Sequence, residues 1–81
     1  MFQTKMVIDG MACGMCEAHV NDAVRRCVPE ARKVRSSFRT GICTFVSRER
    51  PDEEALKAEM GKTGYRILSL ETAASAKRGL F

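Results

Sequence analysis

Apolar and polar positions change their spacing several times along the chain. Phe2, Met6 and Ile8 share one parity, with Val7 between them, and the run stops at Asp9-Gly10, the pattern of a strand entering a turn. From Met15 the period lengthens. Cys16, Val20, Ala23, Val24 and Cys27 fall on one face of a helix that ends before Pro29. Ala31 to Phe38 alternates again, with Val34, Ser36 and Phe38 on one side, and Arg39-Thr40-Gly41 turns into a strand over residues 42–47. In that strand Cys43 and Phe45 are assigned inward and Ile42, Thr44 and Val46 outward, although the reverse carries nearly the same apolar weight. Pro51 followed by Asp52, Glu53 and Glu54 suits a helix start, because carboxylates complement the positive end of a helix. Leu56, Met60 and Thr63 give its inner face, and Gly64 ends it. Tyr65 to Glu71 reads as a closing strand, and residues 72–81 as a mobile tail of small residues finishing in a basic pair and an apolar end.

The order strand, helix, strand, strand, helix, strand predicts an α+β fold: a ferredoxin-like βαββαβ sandwich, a four-stranded antiparallel sheet with both helices on one face. It occupies residues 1–71 as one domain. At 81 residues a chain buries a modest share of its surface, which argues against a deep catalytic cavity. The opening residues contain Lys5 and Asp9 and no long apolar run, so neither a secretory signal nor a membrane span is read there. The expected location is the cytoplasm. In that setting four cysteines point to metal binding or thiol chemistry in place of a disulfide framework. A net charge of +4 favours acidic partners.

The stretch "DGMACGMCEAHV", Asp9 to Val20, carries the candidate chemistry. Cys13 falls in the loop after the first strand and Cys16 in the first turn of the first helix. Two thiols two residues apart can turn toward one point, and a helix amino end favours thiolate over thiol. Thiolate is the metal-binding form. Soft sulfur prefers soft ions such as Cu(I), and two ligands suit an ion that accepts low coordination, whereas zinc asks for four.

"GMACGMC", Gly10 to Cys16, resembles the heavy-metal-associated domain family, and "KTGYRILSLE" resembles the end of that family's second helix and its last strand. The likeness spans roughly residues 2 to 71. The family includes copper chaperones, amino-terminal domains of metal-pumping P-type ATPases and mercury-binding relatives. The resemblance implies that Cys13 and Cys16 are metal ligands, Met11 a support beneath the loop, and Tyr65 a neighbour facing the metal. It implies a non-enzymatic carrier of Cu(I), with Ag, Hg and Zn as other thiophilic cargoes. The expected partner is a P-type ATPase or another acidic domain bearing a CxxC pair; a larger transporter or a mercury-handling protein is the alternative setting. The apo chain is expected to be monomeric, and a shared ion could bridge two copies. Where the family often has Pro-Gly-Val after helix one, this chain has Pro29-Glu30-Ala31, a departure confined to a turn.

Other readings are weaker. A thiol-disulfide oxidoreductase also uses CxxC at a helix start, but the Trp-Cys-Gly-Pro-Cys character and the element order are missing. A zinc site drawing on Cys27 as well would span about 16 Å of helix at about 1.5 Å per residue, too far for one ion. Cys27 and Cys43 are therefore read as small buried hydrophobes. Met15 is expected to point outward and His19 to be a solvated helix residue. Arg25, Arg26, Arg32, Lys33 and Arg35 are read as a solvated surface. An RNA-binding sheet would need exposed aromatics on its central strands, where only Phe2 and Phe45 are candidates and Phe45 is assigned to the core, so no nucleic-acid partner is expected.

Overall fold

The computed structural model of the protein describes residues 1–74. Its elements are β1 (Phe2–Asp9), α1 (Gly14–Cys27), β2 (Arg32–Ser37), β3 (Ile42–Ser47), α2 (Glu53–Lys62) and β4 (Arg66–Ala74). They form one antiparallel sheet in the order β2-β3-β1-β4. This is the βαββαβ sandwich that the sequence predicts.

Alternation along the strands builds the core. Thr4, Met6 and Ile8 of β1 and Cys43, Phe45 and Ser47 of β3 face inward and are buried, meeting Val20, Ala23 and Val24 of α1 and Leu56 and Met60 of α2. The inward assignment of Cys43 and Phe45 is correct: they are 0% and 1% exposed. Two polar side chains inside the sheet find partners, Thr4 Oγ1 with Thr72 Oγ1 at 3.3 Å and Ser47 Oγ with the Glu49 carbonyl at 2.6 Å, so their burial leaves no hydrogen-bonding group stranded.

The helix ends follow their local chemistry. Asp52 caps α2 by accepting from the Glu54 and Ala55 amides, with Pro51 just before it. At the other end the Gly64 amide donates to the Gly61 carbonyl and the Tyr65 amide to the Met60 carbonyl, with Gly64 at φ +92. This left-handed cap, which glycine adopts without a steric penalty, reverses the chain and delivers Tyr65 to the sheet end where β1 finishes.

Three expectations change. The strand predicted through Phe38 stops at Ser37; Phe38 is 38% exposed in the turn, where its amide donates to Glu17 Oε2 of α1 at 2.9 Å. The last strand runs beyond Glu71 to Ala74, because Thr72, Ala73 and Ala74 still pair with β1 as far as Phe2. Residues 75–81 of the expected tail lie outside the described residues. Cys27 is only half-buried and directs its Sγ to the Ala55 carbonyl at 3.5 Å. No helix among the described residues is long and apolar enough to cross a membrane.

Candidate metal centre

β1 ends at Asp9, and Gly10 to Ala12 carry the chain to Cys13, the residue that begins α1. Cys13 has extended backbone, φ −160 and ψ 175, and its carbonyl accepts from the Cys16 amide at 3.0 Å and the Glu17 amide at 3.3 Å. Its side chain makes no capping bond, so the thiol stays available. Cys16 follows one turn on. The two Sγ atoms are 3.7 Å apart, a dithiol. Cys13 is exposed and Cys16 partly so.

Cys16 is held as a strong acid for a thiol, lowered from 9.0 to about 7. The main cause is a hydrogen bond from the Ala12 backbone amide, followed by one from the Tyr65 hydroxyl; the backbone and thiol of Cys13 add smaller effects against some desolvation. Each stabilises the thiolate by donating to it. The same contact pushes Tyr65 up to about 12, with desolvation and the negative charges of the thiolates adding to the shift. Tyr65 Oη also lies 3.5 Å from His19 Nδ1. Gly10 makes room for this arrangement: at φ +111 it lies so close that a Cβ there would sit 3.1 Å from Tyr65 Cδ1.

The residues that the sequence groups around the two thiols therefore meet at one end of the sandwich. Met11 is half-buried and packs against the core beneath the loop, and Met15 points outward, 69% exposed. His19 is exposed, as expected, yet it joins the Tyr65 hydroxyl, a link that sequence reasoning missed because residues 19 and 65 come together only in the fold. The other two thiols are separate in character. Burial raises Cys43, and at Cys27 burial and the nearby Glu59 do the same. Among the described residues, no cluster of three or more His, Cys, Asp or Glu is disposed to hold a metal ion; the two thiols of Cys13 and Cys16 stand together at an accessible helix start.

The basic run is not at this end. β2 lies parallel to β1 across the intervening β3, so Arg25, Arg26, Arg32 and Lys33, where α1 finishes and β2 begins, occupy the opposite end of the fold. The charged residues on the elements nearest the thiols are Asp9, Glu17, Arg39, Lys62 and Arg66, with Arg66 Nη2 3.6 Å from Asp9 Oδ2.

No family profile matches the sequence, and no curated protein matches it at a significant level. Solved structures do. The chain is similar to the copper chaperone Atx1 from Synechocystis PCC6803, with 24% identity and a TM-score of 0.64 over 78% of this chain and 95% of that one. It is similar to oxidized MerP from Ralstonia metallidurans CH34, with 23% identity and a TM-score of 0.68 over 88% and 99% of the two chains. The N-terminal domain of ZntA in its apo-form gives 23% identity and a TM-score of 0.68 over 93% and 96%. The chain has the ferredoxin-like fold of the heavy-metal-associated domains.

Proposed function

We infer that the protein binds a soft metal ion between Cys13 and Cys16 and passes it on by thiolate exchange, as a carrier without catalytic turnover. The observation that supports this most is the pair of sulfurs 3.7 Å apart at an accessible helix start, with hydrogen bonds that lower the Cys16 thiol to about 7. Among proteins of similar fold are a copper chaperone and a domain solved in a Zn(II)-form. The donor set favours Cu(I), since two thiolates complete a low-coordinate soft ion and leave a zinc ion short of ligands. Ag and Hg suit the same donors.

With a metal–thiolate bond of zinc length, about 2.3 Å, the present sulfur separation encloses roughly 107°. A linear two-coordinate ion needs the sulfurs about 4.6 Å apart on the same bond length, so Cys13 must swing outward. Its exposed position in a loop permits that movement. A partner thiolate can then enter, form a three-coordinate bridge, and take the ion as Cys13 and Cys16 leave in turn. No free ion is released. The partner we propose is a CxxC-bearing domain with acidic surface, such as that of a P-type ATPase. Lys62 and Arg39, at the same end of the fold as the thiols, are the cations that could steer it, and Arg66 there pairs with Asp9.

Cu(I) competition against a chelator of known affinity tests the reading. One ion per chain under reducing conditions is expected, with tight binding lost in Cys13→Ser and in Cys16→Ser. Near wild-type affinity in either variant would reject the ligand assignment. Efficient reduction of insulin disulfides by the metal-free protein would instead make it an oxidoreductase.

A further inference from the structure

The sheet ends in β2 on one side and β4 on the other, and the two edges are built differently. β2 is six residues long, carries Arg32, Lys33 and Arg35, and breaks register against β3. Short length, long cationic side chains and an irregular ladder all discourage another strand from pairing there. β4 runs for nine residues, Arg66–Ala74, with no lysine and no proline. Its outer edge has no pairing strand among the described residues. Leu68, along that edge, is 57% exposed.

One irregularity on β4 selects what can pair with it. Val7 stands opposite Ser69 and Ile8 opposite Ile67, so Leu68 is an extra residue, a bulge. Arg66 and Glu71 therefore both lie on the helix-free face, opposite the exposed Asp9 and Lys5, while Ile67 and Leu70 both lie on the inner face, opposite the buried Ile8 and Met6. An ordinary strand matched residue for residue along this edge falls out of phase beyond Leu68. A second copy of the chain, running antiparallel, carries the same extra residue and stays in phase. The segment "RILSLE", residues 66–71, then pairs with itself: Arg66 meets Glu71 of the second copy and Ile67 meets its Leu70, each within one face, and Leu68 falls beside its Ser69 at the two-fold axis.

We propose that the protein forms a weak two-fold dimer through β4, independent of metal, joining two four-stranded sheets into one. In this register a row of alternating charge crosses the junction on the helix-free face: Lys5 and Glu71, then Arg66 and Asp9 of the second copy. On the inner face Met6 and Leu70 continue into Ile67 and Ile8 of the second copy, an unbroken apolar row. Symmetry repeats both rows. Arg66 keeps its contact with Asp9 at 3.6 Å, because a guanidinium has five donors and can take a second carboxylate beside the first. Six residues a side make a small contact, so a dissociation constant of roughly 1 mM is expected, and the monomer expected of the metal-free chain is its dilute state. Arg66 follows Tyr65 at the thiol end, so antiparallel pairing sends the two thiol loops to opposite ends and leaves both open.

Dilution of the metal-free, reduced protein, followed by amide chemical shifts and sedimentation equilibrium, tests this. Between about 0.05 and 2 mM the shifts that move should centre on residues 66–71, and the mass should rise from monomer toward dimer. Arg66→Glu and Glu71→Arg each set like charges opposite one another at both ends of the contact, and each should weaken self-association about tenfold. An equimolar mixture of the two variants puts opposite charges back at both ends, so it should associate within about threefold of the wild type. A change in the fold of either variant alone gives no such rescue. Cys13→Ser should dimerise as the wild type does. A monomer throughout the range, whether the edge is bare or covered by residues 75–81, would overturn the proposal. So would a mixture no tighter than its components, or a dimer that needs Cu(I) or disappears in Cys13→Ser.

Discussion

Tyr65 holds its hydroxyl against Cys16, and the two groups move apart in acidity: the thiol falls to about 7 while the phenol climbs to about 12. The hydroxyl donates to the thiolate, so the charged form of one partner depends on the neutral form of the other. In Tyr65→Phe the alkylation rate of Cys16 should reach its midpoint at higher pH than in the wild type, while staying below the ordinary thiol value because the Ala12 amide remains. An unchanged pH profile would remove Tyr65 from the site.

The same acidity gives the metal-free protein a pH-dependent stability. The folded value of Cys16 is depressed, so its contribution is complete above the ordinary value of 9.0 and is lost as pH falls through about 7. Urea midpoints should therefore rise across that interval in the wild type more steeply than in Cys16→Ser. Parallel profiles for the two proteins would contradict the assignment.

Gly10→Ala should strain the loop and displace the tyrosine together. The φ of +111 disfavours any side chain, and the new Cβ would be 3.1 Å from the Tyr65 ring. A loss of about 1–3 kcal/mol is expected from denaturant unfolding, accompanied by slower Cys16 alkylation near neutral pH. Wild-type stability with wild-type reactivity would show that neither contact matters.

Glu17 ties the first turn of α1 to the β2–β3 turn through the Phe38 amide. Glu17→Ala should cost about 1 kcal/mol, the net value of a hydrogen bond to a charged group at a partly exposed position. Hydrogen exchange at Phe38 should quicken, and exchange at Val24 in the core should follow only the global loss. Equal acceleration at both amides would mean the bond has no local role.

Cys43 is fully buried and its thiol is raised by burial; Cys27 is half-buried and raised for the same reason, with Glu59 adding to it. A limiting alkylating agent near neutral pH should mark Cys16 before either. Cys43→Ala should lower stability by roughly 1 kcal/mol, since it removes a packed sulfur, and should leave the Cu(I) stoichiometry alone. Loss of the metal equivalent in that variant would revive a four-cysteine site.

Much of this architecture is visible in the sequence because a change of hydrophobic period marks each element, and Gly10 and Gly64 mark the turns that flank the thiols. Phe38 misled because an aromatic in phase with Val34 looks like strand, while the amide that stops the strand is claimed by Glu17 from another element. Thr72, Ala73 and Ala74 have no apolar alternation to advertise a strand; their order comes from pairing with β1. The Cys16, Tyr65 and His19 contacts are likewise invisible to local reasoning, because they join α1 to the cap of α2. Lys33 is the sharpest case. Nothing in "ARKVRSS" warns of a left-handed lysine, since the residue runs against the local preference and only the register between β2 and β3 reveals it.

Cys13 and Cys16 are chemically alike and mechanically unlike. The second is fixed within a helical turn, with the Ala12 amide and the Tyr65 hydroxyl directed at its sulfur; the first stands exposed at the threshold of the helix, where its side chain makes no capping bond and meets only the Cys16 sulfur. One behaves as an anchor and the other as a latch. On the proposed carrier function, a cargo between them would be held unequally, and the scaffold would set the order of departure: Cys13 would let go first, and Cys16 would keep the ion on the protein until the receiving side had closed around it.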